Sequence, residues 1–316
     1  MSHRTTELTL RVAAVDDSVP GVRSLSLVAP DGGTLPSFTP GSHLVVGCGD
    51  RANAYSLTCE GIWPTSYEIS VLRVADGRGG SVWIHDRLSI GDEVSVRPPR
   101  SAFAPVNKAR RHLLVAGGIG ITPLVAHVRA AVRWGRDFRL LYGYRDGHGA
   151  HLDELRELAG DRTEFIPEQP RFLGRIEDEL ADQPLGTHLY ICGPAGLIDH
   201  VRDRASALGW PASRIHLERF GAGEQDPGEP FEVRLTASGH TVQVPAGVSL
   251  LEALEEYGLR IPHLCRQGVC GECRVPVASG RPLHRDLFLT DEEKAAGDSL
   301  MCCVSRAAGP RLELPL

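Results

Sequence analysis

The chain has 316 residues, of which 42% are hydrophobic and 23% charged, as expected for a globular protein of two or three domains. A formal net charge of −6 without a basic stripe gives no reason to expect nucleic-acid binding, and no apolar run is long enough to span a membrane. Residues 1–12 lack a secretory signal pattern, so the eight cysteines indicate a reducing compartment. We expect a cytoplasmic protein that binds neither nucleic acid nor membrane.

The first hundred residues predict an all-β domain. Short runs rich in Val, Leu and Ser alternate with turns rich in Gly, Pro and Asp, and this spacing predicts a barrel or a sandwich. The predicted strands cover residues 8–15, 22–28, 43–48, 67–74 and 93–98.

Tyr55, Ser56 and Leu57 form a stretch of this domain that could bind a flat heterocycle. An aromatic ring and a hydroxyl lie next to strand backbone there, so stacking and main-chain hydrogen bonds are both available. A tyrosine in a strand is more often ordinary packing, and the stretch alone does not decide between the two interpretations.

The run Asp-Gly-Arg-Gly-Gly-Ser at 76–81 leads into a short helix predicted over 82–86. Free N–H groups and the positive end of a helix dipole attract phosphate, to which Arg78 would add charge and Ser81 a hydroxyl. A plain glycine turn explains these residues equally well.

Residues 111–222 alternate predicted strands with predicted helices, which indicates a parallel sheet with its ligand at the carboxyl ends of the strands. The run Gly-Gly-Ile-Gly-Ile-Thr-Pro at 117–123 follows an apolar strand but departs from a strict G-x-G-x-x-G fingerprint. We predict that Thr122 caps the next helix and that Pro123 occupies its first position.

Cys192-Gly193-Pro194 follows a second apolar strand and opens a helix. A cysteine at such a position is more often a small buried residue, and the functional alternative places it beside a nicotinamide ring. After the strand at 138–142, Arg145 could meet a 2′-phosphate, whereas Asp146 would suit a ribose diol. These residues alone leave NADH and NADPH open.

The last part of the chain begins with a polar run at 221–229 that has the composition of a linker. A hairpin is predicted over 231–236 and 241–244, and Ser249 and Glu252 form a capping box for a helix over 250–257. With a last strand at 311–314, this order predicts a β-grasp domain.

Cys265, Cys270 and Cys273 have the C-x4-C-x2-C spacing of a plant-type [2Fe–2S] cluster. Gly268 and Gly271 between them allow the backbone N–H groups to approach inorganic sulfide. A structural zinc site would more usually show two C-x2-C pairs, and disulfides require an oxidising compartment. The spacing therefore favours the cluster.

The fourth ligand is one of two adjacent cysteines, Cys302 and Cys303. Successive residues of an extended segment point to opposite faces, so at most one of the pair is expected to reach the cluster.

These motifs together resemble those of the phthalate dioxygenase reductase family over essentially the whole chain. The resemblance implies a flavin-binding β-barrel of the ferredoxin-reductase type, an α/β nucleotide-binding domain with a parallel sheet, and an α+β ferredoxin domain of the β-grasp type. The expected ranges are 1–107 for the FMN domain, 108–222 for the NAD domain, 223–230 for a linker and 231–316 for the ferredoxin domain.

The resemblance implies FMN, NADH and a [2Fe–2S] cluster as cofactors, and it places Thr122, Cys192 and Phe220 at the reacting centre. One position departs from the family, because Asn53 stands where relatives usually carry an arginine that meets the flavin phosphate. The residues it assigns to flavin and nucleotide binding are Tyr55, Ser56, Leu57, Arg73, Arg78, Gly79, Gly80, Ser81, Gly117, Gly118, Gly120, Thr122, Pro123, Gly193, Pro194 and Phe220. The cluster ligands it implies are Cys265, Cys270, Cys273 and Cys303.

The implied function is to pass electrons from NADH through FMN and the cluster to a partner oxygenase. A Rieske non-haem iron oxygenase is the favoured partner and a cytochrome P450 the alternative. A redox carrier or sensor without turnover is a hypothesis of a different class, and the intact nucleotide motifs argue against it.

Overall fold

The computed structural model describes residues 7–49, 51–77, 79–101, 103–220, 228–263, 268, 271–286 and 288–316. The chain divides into two compact units, Met1–Phe220 and Gly221–Leu316. Within the described ranges, no helix combines the length and the apolar character needed to cross a membrane.

The first unit begins with a six-stranded antiparallel sheet in the order β4-β3-β6-β1-β2-β5. Its two edge strands meet where Leu57 bridges to Ile69, so the sheet closes into a barrel around a core of alternate apolar residues. The elements are β1 (Leu8–Asp16), β2 (Val22–Val28), β3 (Ser42–Cys48), β4 (Arg51–Ser56), β5 (Ser66–Leu72), α1 (Gly80–Arg87) and β6 (Glu93–Ser101).

The same unit continues into a five-stranded parallel sheet in the order β11-β10-β7-β8-β9. The chain moves outward from β7 through β8 to β9 and then crosses back to β10, so the strand order reverses between β7 and β10. An open parallel sheet binds its ligand at such a reversal. The elements are β7 (Arg111–Gly117), α2 (Ile121–Arg133), β8 (Phe138–Gly143), α3 (Leu152–Ala159), β9 (Thr163–Ile166), α4 (Gln169–Ala181), β10 (Thr187–Gly193), α5 (Ala195–Ala207) and β11 (Ile215–Arg219).

The second unit has its own core around a three-stranded sheet in which β12 pairs antiparallel with β13 and parallel with β18. The pairing of the first and last strands is the β-grasp arrangement. The elements are β12 (Phe231–Leu235), β13 (Thr241–Val244), α6 (Leu250–Tyr257), β14 (Arg274–Pro276), β15 (Pro282–Leu283), α7 (Asp291–Ala296), β16 (Ser299–Met301), β17 (Arg306–Ala307) and β18 (Arg311–Leu314).

Arg306 connects distant segments of the second unit. Its buried guanidinium donates to the carbonyl oxygens of Val248 at 2.6 Å, Pro245 at 3.0 Å and Glu229 at 3.1 Å. It also lies 5.0 Å from the centre of the Phe231 ring. Charge-assisted hydrogen bonds of this kind are among the stronger ones, so the side chain holds the start of the unit against its later part.

The predicted fold class agrees with this architecture, and the prediction for the start of α2 is wrong. A 3-10 turn at Gly118–Gly120 leads directly into the helix, which therefore begins at Ile121. Gly120 is the N-cap, Pro123 is the third residue, and the Thr122 hydroxyl donates to the Ile119 carbonyl at 3.0 Å instead of capping the helix.

Buried histidines make the first unit sensitive to acid. Burial lowers the pKa of His127 to about 3, and its Nε2 donates to the Phe103 carbonyl at 2.8 Å. The unfolded chain binds a proton near pH 6.5, so this contribution to stability is present above 6.5 and is lost as the pH falls towards 3.

Between pH 6.5 and 4.5, we expect the unfolding free energy of His127→Gln to fall less than that of wild type, by on the order of 2 kcal/mol. The reason is that glutamine can keep the hydrogen bond to Phe103 without titrating. Urea unfolding followed by tryptophan fluorescence reports on this unit, which holds all four tryptophans. The exposed control His148→Gln should leave the slope unchanged. An equal slope in wild type and His127→Gln would contradict the assignment.

Candidate functional site

The predicted phosphate loop lies at the start of α1, beside β4. Gly79 is the N-cap in a left-handed conformation with φ 88°, and no side chain caps the helix. A Cβ on Gly80 would collide with the Asn53 side chain, so only glycine leaves room for that amide. The N–H groups of the first turn and the Asn53 amide therefore lie at one place, as a phosphate requires.

The polar side chains around this loop are mostly engaged with the protein itself. The Ser81 hydroxyl accepts a hydrogen bond from the Val74 N–H at 3.1 Å. The exposed Arg73 makes a two-point contact with Asp86, at 2.6 and 3.2 Å. Arg78 lies outside the described residues, so its predicted role stays a prediction.

The Tyr55-Ser56-Leu57 stretch lies at the end of β4. Tyr55 is half-buried, burial raises the pKa of its hydroxyl, and that hydroxyl accepts from the Asn53 amide at 3.4 Å. Leu57 is in the barrel core, which leaves only its backbone for a ligand. Ser56 is 4% exposed, and its hydroxyl has no hydrogen-bond partner among the described residues. A buried hydroxyl without a partner is costly and fits a polar ligand atom.

The two glycine motifs of the parallel sheet meet where the strand order reverses. A Cβ on Gly120 would overlap the Cys192 carbonyl and lie 2.6 Å from the Gly193 nitrogen. A Cβ on Gly117 would lie 2.9 Å from the Pro194 ring. The loops after β7 and β10 are therefore in backbone contact, and the turn at Gly118–Gly120 also lies against β5 of the barrel. We use the name nucleotide cleft for the carboxyl ends of β7 and β10 and the loops that follow them. An open parallel sheet binds a dinucleotide at such a place, because the phosphates need close backbone approach.

Buried groups line the carboxyl ends of these strands. Cys192 is fully buried, and burial together with the nearby Glu218 raises the pKa of its thiol. Thr122 is 2% exposed at the start of α2, whereas Phe220, just after β11, is 38% exposed. The structure thus places Cys192, Thr122 and Phe220 around the ends of β7, β10 and β11.

Glu218 is a residue whose chemistry the sequence did not reveal. It is opposite Cys192 in the β10–β11 pairing, it is 7% exposed, and one carboxyl oxygen has no hydrogen-bond partner in the described part of the chain. Burial raises the pKa of this carboxyl to about 8. A carboxyl that titrates near neutral pH is typical of a functional site.

In the second unit, Cys273 lies beside both candidate fourth ligands. Hydrogen bonds with the thiols of Cys302 and Cys303 lower the pKa of the Cys273 thiol. Cys302 is completely buried and Cys303 is 7% exposed. Cys265 and Cys270 lie outside the described residues. Among the described residues, no three His, Cys, Asp or Glu side chains form a group that could hold a metal ion. Clustered thiols are the ligands that iron–sulfur centres take.

Two glycines of the predicted cluster segment have left-handed backbone conformations. Gly268 has φ 72° and packs against Asp286 and Val304, and Gly271 has φ 82° and packs against the Phe288 ring. A side chain at either position would be strained and would collide with these neighbours. The conformations of Gly268 and Gly271 fit a group held by backbone N–H donors.

The arrangement of barrel, nucleotide cleft and cysteine-bearing unit defines a flavin- and nucleotide-dependent reductase. Residues 233–308 match the model of the 2Fe-2S iron-sulfur cluster binding domain, and residues 92–215 match that of the dimethylamine monooxygenase subunit DmmA-like N-terminal domain. The heme-dependent oxidative N-demethylase beta subunit of Ectopseudomonas mendocina is 42% identical over 99% of this chain and 100% of its own length.

Two solved structures extend the comparison. A phthalate dioxygenase reductase is 36% identical with a TM-score of 0.64, and the match covers 98% of both chains. A type IV self-sufficient cytochrome P450 monooxygenase is 35% identical with a TM-score of 0.72, and the match covers 98% of this chain but 41% of the longer one. The chain belongs to the phthalate dioxygenase reductase family. It is an oxidoreductase with FMN, NADH and a [2Fe–2S] cluster as its cofactors, as predicted.

We expect Gly120→Ala to lower NADH-dependent ferricyanide reduction at least tenfold and to cost about 1–3 kcal/mol of stability, because the two loops must separate to admit a methyl group. The control is Gly196→Ala on α5, where a Cβ meets nothing within 4 Å. Wild-type turnover in Gly120→Ala would show that the backbone contact is dispensable.

Glu218 should destabilise the fold as the pH rises, because its pKa is higher in the folded than in the unfolded chain. The unfolded carboxyl ionises near pH 4.5, so the stabilisation is complete below that pH and is lost as the pH rises through about 8. As the pH rises from 4.5 to 8, we expect the unfolding free energy of Glu218→Gln to increase relative to that of wild type by on the order of 4 kcal/mol. Urea unfolding across this range measures the difference, with exposed Glu157→Gln as control. Parallel curves for Glu218→Gln and wild type would contradict the burial effect.

Proposed function

We propose that the chain supplies electrons to a partner oxygenase, with each cofactor held by the residues that the motifs indicate. FMN, when bound, takes two electrons as a hydride from NADH and releases them singly to the cluster. The observation that carries the proposal is the backbone contact of Gly120 with Cys192, beside β5 of the barrel, because it brings the strand ends that would bind a dinucleotide next to the domain that would bind the flavin.

The positions of the described residues support the following roles. In the barrel, Tyr55 would cover the flavin ring, and the Ser56 hydroxyl would gain the partner it lacks. The loop from Arg78 to Ser81 and the Asn53 amide would hold the phosphate. In the parallel sheet, Gly117, Gly118, Gly193 and Pro194 would hold the nucleotide. Thr122, Cys192 and Phe220 would border the nicotinamide, and the protein would supply geometry more than acid–base catalysis.

We propose that the chain is divided into domains at the boundaries that the sequence predicts. The FMN domain would cover 1–107, the NAD domain 108–222 and the ferredoxin domain 231–316, with 223–230 as a linker. The first two would act together because both belong to one compact unit.

The cluster would be held by Cys265, Cys270, Cys273 and Cys303. We expect Cys303→Ser to lose the rhombic EPR signal of the reduced cluster and most of its iron and sulfide, whereas Cys302→Ser should keep both. Cys302 is the matched control because its thiol also contacts Cys273. The reverse pattern would make Cys302 the ligand.

A haem-containing oxygenase is the partner we propose first. The relative that is 42% identical is a subunit of a heme-dependent N-demethylase, and the P450 relative carries this module in the same chain as its haem domain. A Rieske oxygenase is the second candidate, supported by the full-length match to a phthalate dioxygenase reductase.

Anaerobic titration with NADH tests the electron path. The flavin absorbance should bleach while the cluster signal grows in low-temperature EPR, and a bleached flavin without that signal would disconnect the cluster from the path. Mixing the reduced protein with a purified haem-dependent N-demethylase or with a Rieske oxygenase then tests the partner. A shift of the haem absorbance without reduction of the Rieske centre is the expected result, and the opposite result would favour the second candidate.

A further inference from the structure

Four side chains form a line of hydrogen bonds from the barrel to the parallel-sheet part of the first unit, and an ion pair with Arg129 extends it. Ser24 and Ser70 are 2.7 Å apart, and the Ser70 hydroxyl lies 2.9 Å from Nε2 of His151. His151 Nδ1 lies 2.9 Å from a Glu154 oxygen, whose other oxygen lies 2.7 Å from Arg129. Ser24 and Ser70 belong to the barrel, and the other three to the parallel-sheet part.

The hydrogen bonds can all point in one direction. The Glu154 carboxylate accepts from His151, so the Nδ1 atom of His151 is a donor. When Nε2 carries no proton, it accepts from Ser70, which in turn accepts from Ser24. Each donor in the line then points towards Glu154.

The backbone of His151 is held in an unusual conformation. It has φ 61°, and Trp63 is the only other non-glycine residue with positive φ in the ranges that the structure describes. His151 is also the N-cap of α3, yet its side chain does not cap that helix. A left-handed conformation is unfavourable for a residue with a Cβ and persists where the surroundings impose it. Here the imidazole is turned towards the barrel.

The serine, histidine and glutamate of this line resemble a hydrolytic triad, but their surroundings exclude that role. Ser70 is 5% exposed in the middle of β5, paired with Ser24 of β2, so a substrate carbonyl cannot reach it. The line instead joins two elements next to the proposed site. β5 lies against the turn at Gly118–Gly120, and Arg129 belongs to α2, whose first turn carries Thr122.

We propose that His151 is a positioning residue for electron transfer from nucleotide to flavin. By holding Ser70 of the barrel, it fixes the barrel at a set distance from the nucleotide cleft. The inference rests on the proposed function, because it requires the flavin on the barrel and the nicotinamide in the cleft. Transfer between two bound rings falls steeply when they are misplaced by about 1 Å.

Two variants remove the contact from its two sides. Ser70→Ala deletes the barrel hydroxyl and leaves His151 with Glu154, and His151→Asn removes the imidazole while tolerating positive φ. Ser24→Ala is the matched control, since it removes a hydroxyl from the same face of the barrel without breaking the Ser70–His151 contact. Anaerobic stopped-flow mixing of the flavin-loaded proteins with NADH separates the limiting rate of flavin bleaching from the apparent NADH affinity.

Both variants should bleach about tenfold more slowly at saturating NADH, with a weaker nicotinamide–flavin charge-transfer band and an affinity within about twofold of wild type. Amide hydrogen exchange without NADH should be faster at 66–72 and 150–154 in both variants, and Ser24→Ala should match wild type throughout. Unchanged bleaching and exchange in both variants, or equal losses in the control, would overturn the role of His151 alone. A wild-type protein that NADH does not bleach would overturn the proposed function, and the inference with it.

Discussion

The nucleotide cleft depends on two glycine-bearing segments that lie in close contact. The loops after β7 and β10 meet because Gly117, Gly120 and Gly193 carry no Cβ. In an open parallel sheet, the reversal of strand order separates the crossover connections and leaves room at this point. Because glycine has no side chain, the two loops can approach each other closely in that room. The buried thiol of Cys192 lies next to this contact because it is on β10, and Glu218 is opposite Cys192 on the neighbouring strand β11.

Burial within the first unit gives it opposing responses to pH. His127 keeps its neutral form because its surroundings cannot solvate a cation, and Glu218 keeps its neutral form because they cannot solvate an anion. Acid therefore penalises one group and base the other. Taken together, these two groups favour a pH between the pKa of His127, about 3, and that of Glu218, about 8. Neither group is part of a salt bridge in the described ranges.

Much of this architecture was accessible from the sequence, because it rests on local patterns. Short apolar runs between turns predicted a barrel or a sandwich, the glycine motifs indicated the ends of β7 and β10, and the capping box at Ser249 located α6. Features that depend on tertiary contact were not accessible. The Ser70–His151 contact joins residues 81 positions apart, and the raised pKa of Glu218 follows from its burial. The 3-10 turn before α2 overrode the capping pattern of Thr122, and β14 to β17, of two or three residues each, are too short for periodicity. Cys265 and Cys270 lie outside the described residues, so the cluster loop itself stays a prediction.

The parallel pairing of β12 with β18 has a consequence for biosynthesis. The central strand of the second unit borders β13 on one side, but its other edge stays open until residues 311–314 have been made. The hydrogen bonds to Glu229, Pro245 and Val248 likewise depend on Arg306, which is made late. A ribosome synthesises from the N-terminus, so the first unit can fold before the strand that completes the sheet of the second unit has been made. The second unit therefore depends, for its central sheet, on the part of its sequence that is made last.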